Sequence, residues 1–103
     1  MGYDVYITRR KLWSDAFGDE IGAEEWMALV DDDAELEAAA DVGSWAARSR
    51  SGTLIEWVGG SIAARDPEDE EVELLLLLAE RLGARVQGED GELYLGGGRI
   101  EEA

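Results

Sequence analysis

The chain has no cysteine and no histidine, a single proline (Pro67) and a single lysine (Lys11). Without cysteine there is no disulfide staple and no thiolate nucleophile. Without histidine the side chain that most often carries general acid–base work near neutral pH is missing, as is the commonest metal ligand. Apolar runs are short too. The longest run of leucine, Leu74 to Leu78, covers five residues, far below the ~20 that a membrane-spanning helix requires. The opening MGYDVYITRRK has no apolar stretch ahead of its basic residues, which predicts no secretory signal. A cytoplasmic location is therefore expected, and no membrane partner.

What the chain has in excess is negative charge. Twenty-five acidic residues stand against nine basic ones, a formal net charge of −16. Such a surface is repelled by nucleic-acid phosphates and anionic lipid, and a basic partner is drawn to it with salt-sensitive steering. Acidity also serves solubility, so charge alone leaves both readings open. With 46% hydrophobic residues in 103, there is enough apolar material for one packed core, and a single domain is expected over residues 1–95. Gly96, Gly97 and Gly98 followed by Glu101 and Glu102 predict a flexible tail over residues 96–103.

The strongest local signal lies between Asp66 and Gly83. Asp66 reads as an N-cap and Pro67 as the first helical residue. Glu68, Asp69, Glu70 and Glu71 fill the first turn, where the helix dipole favours carboxylates, Arg81 sits in the last, and Gly83 supplies the left-handed stop. Val72, Leu75, Leu76, Ala79 and Leu82 form the core-facing stripe. Leu74, Leu77 and Leu78 widen the apolar surface beyond that stripe, so a second cover is required. Another part of the chain or a second copy would supply it, and these three leucines are the candidate self-association residues of a homodimer.

A second helix is predicted over residues 21–30. Gly22 is its N-cap, Glu25 reaches back to the cap amide, and Ile21 and Trp26 form a hydrophobic staple. Asp31, Asp32 and Asp33 end it, and Asp32 with Glu35 predicts a capped helical turn through Ala40. Strands are predicted by alternation near Tyr3–Thr8, then at residues 44–50, 53–58 and 61–65, with Gly59-Gly60 as a two-residue hairpin turn. Residues 84–87 and 92–95 flank Gly88-Glu89-Asp90-Gly91 as a further hairpin. The order predicts an α+β domain: an antiparallel or mixed sheet of about five to six short strands, with two main helices packed on one face.

No constellation in the chain reads as an active site. Asp31-Asp32-Asp33 with Glu35, and Glu89-Asp90-Gly91-Glu92, lack the alternating ligand spacing of a calcium loop, and caps and turns account for them. The glycines match no phosphate-binding fingerprint. No metal, cofactor or catalytic residue is expected, and the chain is read as a non-enzyme. Trp26 and Trp57 fit core positions, whereas Trp13 in a loop and Trp45 beside small residues are candidate surface anchors.

Several stretches together resemble a family. YDVYITR at residues 3–9, I-G-x-E-E-W at 21–26, W-V-G-G-S-I at 57–62, D-P at 66–67 and LGARVQGEDGELY at 82–94 are similar to small bacterial proteins with a YD-[VL]-YITR opening and an LxAxVQGDDGExY close. The likeness is weak from residue 31 to 52, Glu89 stands where the pattern has aspartate, and Gly22 where a serine cap is more typical. The resemblance implies a single-domain cytoplasmic protein, comparable in some members to immunity proteins of polymorphic-toxin systems.

Charge, size and resemblance together predict an acidic binding protein that inhibits a cognate toxin domain. The expected contact residues are Asp31, Asp32, Asp33, Glu35 and Glu37, with Glu68, Asp69, Glu70, Glu71 and Glu73, and Trp45 as an anchor. A self-associating structural or regulatory module without a toxin partner is the alternative.

Overall fold

The computed structural model describes residues 3–102; Gly2, which opens the predicted alternation, and Ala103, the end of the predicted tail, lie outside the described residues. Ten elements follow one another: β1 (Val5–Thr8), α1 (Ala23–Asp32), β2 (Leu36–Ala38), β3 (Ala46–Ser49), β4 (Leu54–Val58), β5 (Ser61–Ala64), α2 (Asp69–Leu82), β6 (Arg85–Gly88), β7 (Leu93–Leu95) and β8 (Arg99–Glu101). All eight strands join one antiparallel sheet in the order β2-β3-β4-β5-β1-β6-β7-β8. The first strand is thus central. Because β5 and β6 both run antiparallel to it, they are parallel to each other, and a helical crossover is the connection that such a pair needs. α2 is that crossover.

Alternation decides which side of the sheet each residue serves. Val5 and Ile7 stand in register with Ala64 and Ile62 on one side and with Gly88 and Val86 on the other. Ile55 continues the row, and these residues form one core with Trp26, Leu29 and Val30 of α1 and Leu75, Leu78, Ala79 and Leu82 of α2. Both helices therefore cover the same face, as the amphipathic spacing predicts. α1 begins as expected. The Gly22 amide donates to the Glu25 carboxylate at 3.3 Å, and both residues of the Ile21–Trp26 staple are fully enclosed.

Three local expectations are corrected. Residues 35–40 do not form a helical turn. Leu36, Glu37 and Ala38 pair with Ser49, Arg48 and Ala47 as an edge strand, and the Asp33 carboxylate accepts the Glu35 amide at 2.8 Å to turn the chain into it. Three residues pairing along a waiting strand outweigh the modest helix propensity of alanine and glutamate. The predicted tail is also structured: the three glycines make a turn and Arg99–Glu101 adds β8 to β7.

The cap of α2 is Glu68, not Asp66. Proline disfavours the helical conformation in the residue before it, and Asp66 takes a positive φ of 49° while its amide donates to the Asp4 carboxylate at 3.2 Å. The end of the sheet, rather than the helix, claims this residue.

The face opposite the helices carries Tyr6, Ala63 and Gln87 across its centre. Part of it is covered by the loop of residues 9–20. Trp13 stacks on Tyr6 with ring centres 3.8 Å apart and planes within 1° of parallel. The Gln87 amide fixes the loop at both ends of its side chain, accepting from the Trp13 N–H at 2.8 Å and donating to the Lys11 carbonyl at 2.8 Å.

The same loop is tied to the β4–β5 turn. Gly59 and Gly60 have φ of 59° and 100°, the paired left-handed geometry of a tight hairpin, and the Gly60 carbonyl accepts the Ile21 amide at 2.8 Å. A Cβ on Gly60 would lie 2.8 Å from Arg10 Nη2 and 2.8 Å from Glu20 Cγ. Gly60→Ala is therefore expected to cost about 1–3 kcal/mol, read as a lowered midpoint in urea. A midpoint within error of wild type would show that this turn can shift freely.

Candidate functional site

The two acidic segments picked out in the sequence, some thirty residues apart, meet at one end of the sheet. Leu36 of β2 lies opposite Ser49 of β3, the Glu35 carbonyl accepts the Arg50 amide at 3.1 Å, and the Ser49 hydroxyl donates to Glu71 in the first turn of α2 at 2.5 Å. The turn that follows β3 thus joins the segment after α1 to the start of α2.

Around it, Glu35, Glu37, Glu68 and Glu70 are exposed, and none has an ion pair among the described residues. Arg50, exposed in the same turn, and Arg48, opposite Glu37 and paired with Asp41, are the basic residues in their midst. Asp31 lies at the end of α1, where Asp32 and Asp33 reach Arg81 in the last turn of α2, and Asp69 and Glu73 border the groove with Tyr94 and Ile100. Free carboxylates in the first turn of α2 sit where the helix dipole is positive and need no cation to hold them there.

Other predicted contacts are already engaged. Asp32 and Asp33 pair with Arg81 of α2 at 2.6 and 3.1 Å, which offsets three carboxylates gathered at the negative end of α1. Glu71 is only 7% exposed: it accepts from the Ser49 and Thr53 hydroxyls and is removed from any docking surface. Burial pushes its carboxyl up, and the hydroxyls of Ser49, Thr53 and Ser51 outweigh that and hold it below the ordinary range.

Trp45 stands at the other end of β3, about 13 Å away along a four-residue strand. It is half exposed and packs edge-to-face on Trp57 with centres 4.9 Å apart, while its carbonyl accepts the Trp26 indole N–H at 3.1 Å. It is not part of the acidic cluster.

Arginines elsewhere are largely spent on internal pairing. Arg9 donates to the Leu82 carbonyl at 2.8 Å and the Glu20 carbonyl at 2.9 Å and pairs with Glu25, holding the Glu25 carboxyl below its usual value. Arg48 pairs with Asp41, and Arg65 bridges Asp4 and Glu56. The charges left to face a partner are predominantly negative.

The leucine run resolves differently from the expectation of a dimer face. Leu78 is fully enclosed, Leu74 is half-buried against the core, and Leu77 alone of the three is exposed, at 62%. Glu73 and Glu80 border the shallow groove beside it, so two copies meeting there would bring like charges together. Among the described residues no three metal-capable side chains converge, and no helix is long and apolar enough to cross a membrane.

Sequence reasoning missed Arg10 and the aromatic pair beside it. Their signal was an arginine directly after an alternating strand in a chain with few bases. Comparison with protein families, curated proteins and solved structures finds no match to the chain.

Proposed function

We propose that this protein is a non-enzymatic binding module that docks a basic partner on the acidic end formed by Glu35, Glu37 and the start of α2. In its most concrete form it is an immunity protein occluding a cognate toxin domain. The observation that supports this reading is the convergence of exposed, unpaired carboxylates from two distant segments, while most arginines are engaged within the fold. A toxin that acts on nucleic acid presents a basic surface to phosphates, and a rigid array of carboxylates can occupy that surface instead. The resemblance to immunity proteins points the same way. Self-association through α2 is the weaker reading, because one exposed leucine rimmed by glutamates is a poor centre for a dimer.

Affinity capture with the tagged protein from a lysate of the source organism, washed over rising salt, tests the proposal. Wild type is expected to retain a basic protein at low salt and to release it progressively. The variant Glu68→Lys, Asp69→Lys, Glu70→Lys and Glu73→Lys is expected to retain at least ~10-fold less, since like charges then face each other. Equal retention by the two would remove the acidic end from the interface.

A further inference from the structure

Arg10 is only 8% exposed, an unusual position for a cation in a chain that pairs most of its other arginines near the surface. Its side chain threads between two glycines: a Cβ on Gly18 would lie 3.3 Å from its Cγ, and one on Gly60 2.8 Å from Nη2. A guanidinium has five N–H donors. One hydrogen bond is formed, from Nη2 to the Gly59 carbonyl at 2.9 Å. The Glu20 carboxylate forms an ion pair with Nη2 at 3.9 Å, beyond hydrogen-bonding distance. Nε is enclosed with no acceptor among the described residues. Nε is closed to solvent, so the Nη donors beyond the one given to Gly59 are those open to a bound anion.

The guanidinium borders a cleft of about 290 Å³ on the sheet face away from the helices, at the small end of the range for ligand sites. The stacked rings of Tyr6 and Trp13 form one wall, and Val58 and Ala63 contribute apolar surface. The Ser61 hydroxyl is already committed to Thr8 at 2.9 Å. Asp15 also lines the cleft, and its carboxylate is held within the loop by the Leu12 amide at 3.2 Å.

We propose that this cleft binds a small aromatic monocarboxylate, the ring lying against the Tyr6–Trp13 wall and the carboxylate meeting the free Nη donors of Arg10. The chemistry follows from the lining. An aromatic and apolar wall selects a ring, a guanidinium with free donors selects a carboxylate, and the volume admits little more. A larger polyanion would be turned away by the surrounding acidity. The site is distinct from the acidic end, lying over β5 and β1 and not at the β2 edge, and does not depend on what docks there.

Titration of ¹⁵N-labelled protein with benzoate, and separately with benzamide, tests it. The readout is the indole N–H of Trp13, which donates to the Glu89 carbonyl at 3.2 Å and is assigned with Trp13→Phe. Benzoate is expected to give a saturable shift, and benzamide to bind at least ~10-fold more weakly, because it lacks the charge that Arg10 requires. Arg10→Met is expected to abolish the difference. As that variant also removes a strut between two turns, Val58→Trp serves beside it, filling the cleft from an exposed rim position while leaving Arg10 in place. It too is expected to abolish the shift. No response to benzoate, equal binding of benzoate and benzamide, or an unchanged benzoate titration in folded Val58→Trp would each overturn the assignment.

Discussion

Replacing Trp26 with alanine is expected to lower the free energy of unfolding by about 3–5 kcal/mol. Trp26 is fully enclosed and lies at the junction of α1, the β3 end of the sheet and the loop that enters the helix. Its ring completes the staple with Ile21, and its indole N–H donates to the Trp45 carbonyl at 3.1 Å. Truncation leaves a cavity walled by α1 and the sheet and also removes one of that carbonyl's two donors, the Trp57 amide at 3.0 Å remaining. In a small domain each kcal/mol moves the melting temperature by roughly 4–8 °C, so circular dichroism melts should show a fall of more than about 12 °C. Trp26→Phe retains most of the packing without the N–H, and a loss of about 1–2 kcal/mol is expected. A fall of under about 5 °C for the alanine variant would contradict this account of the core.

Glu71→Ala is expected to cost about 2–3 kcal/mol at neutral pH, the worth of a charge-assisted contact to hydroxyls that are then left without their acceptor. The dependence on acidity is the sharper test. The folded Glu71 carboxyl lies below its ordinary value of 4.5, so the folded state binds this proton less readily than the unfolded chain. The ionised contact therefore adds stability in full above the ordinary carboxylate range, and that contribution is lost as pH falls through the lowered folded value. Urea unfolding of wild type and variant, run side by side from pH 7 downward, should show a constant gap that narrows below about pH 4.5. A gap that ignores pH would mean that the hydroxyls respond to the shape of the side chain and not to its charge.

The parts of the fold that were legible in the sequence are those settled within a few residues. Ile21, Gly22, Glu25 and Trp26 fix the start of α1 through one another. Gly83, with φ 63°, ends α2 for reasons that need no distant partner. The Gly59-Gly60 turn is equally local.

What was not legible depends on partners far along the chain. Leu36–Ala38 and Arg99–Glu101 become strands because an edge is there to receive them. Asp66 is lost to the helix because Asp4, more than sixty residues earlier, takes its amide. The candidate site divides in the same way. Carboxylates at the start of α2 could be read from helix chemistry alone. The withdrawal of Glu71 could not, since it requires Ser49 and Thr53 to arrive from another hairpin. Arg10 was hidden for a related reason: an arginine after a strand reads as surface until two glycines from separate turns are seen to make room for it.

The central place of the first strand bears on how the chain folds as it is synthesised. Tyr6 aligns with Ala63 on one side and Gln87 on the other, so β1 emerges early and finds neither neighbour until most of the chain has followed. Meanwhile β2 to β5 can assemble as a local meander, its β5 edge open and waiting. Closing such long loops is entropically slow, and at ~5–20 residues per second the ribosome holds this half-built sheet with an unpaired apolar strand for several seconds. Folding of this protein is then decided by the arrival of α2 and β6, and any nascent chain halted before them can pair β1 with β5 but leaves the other edge of β1 open in the middle of the final sheet.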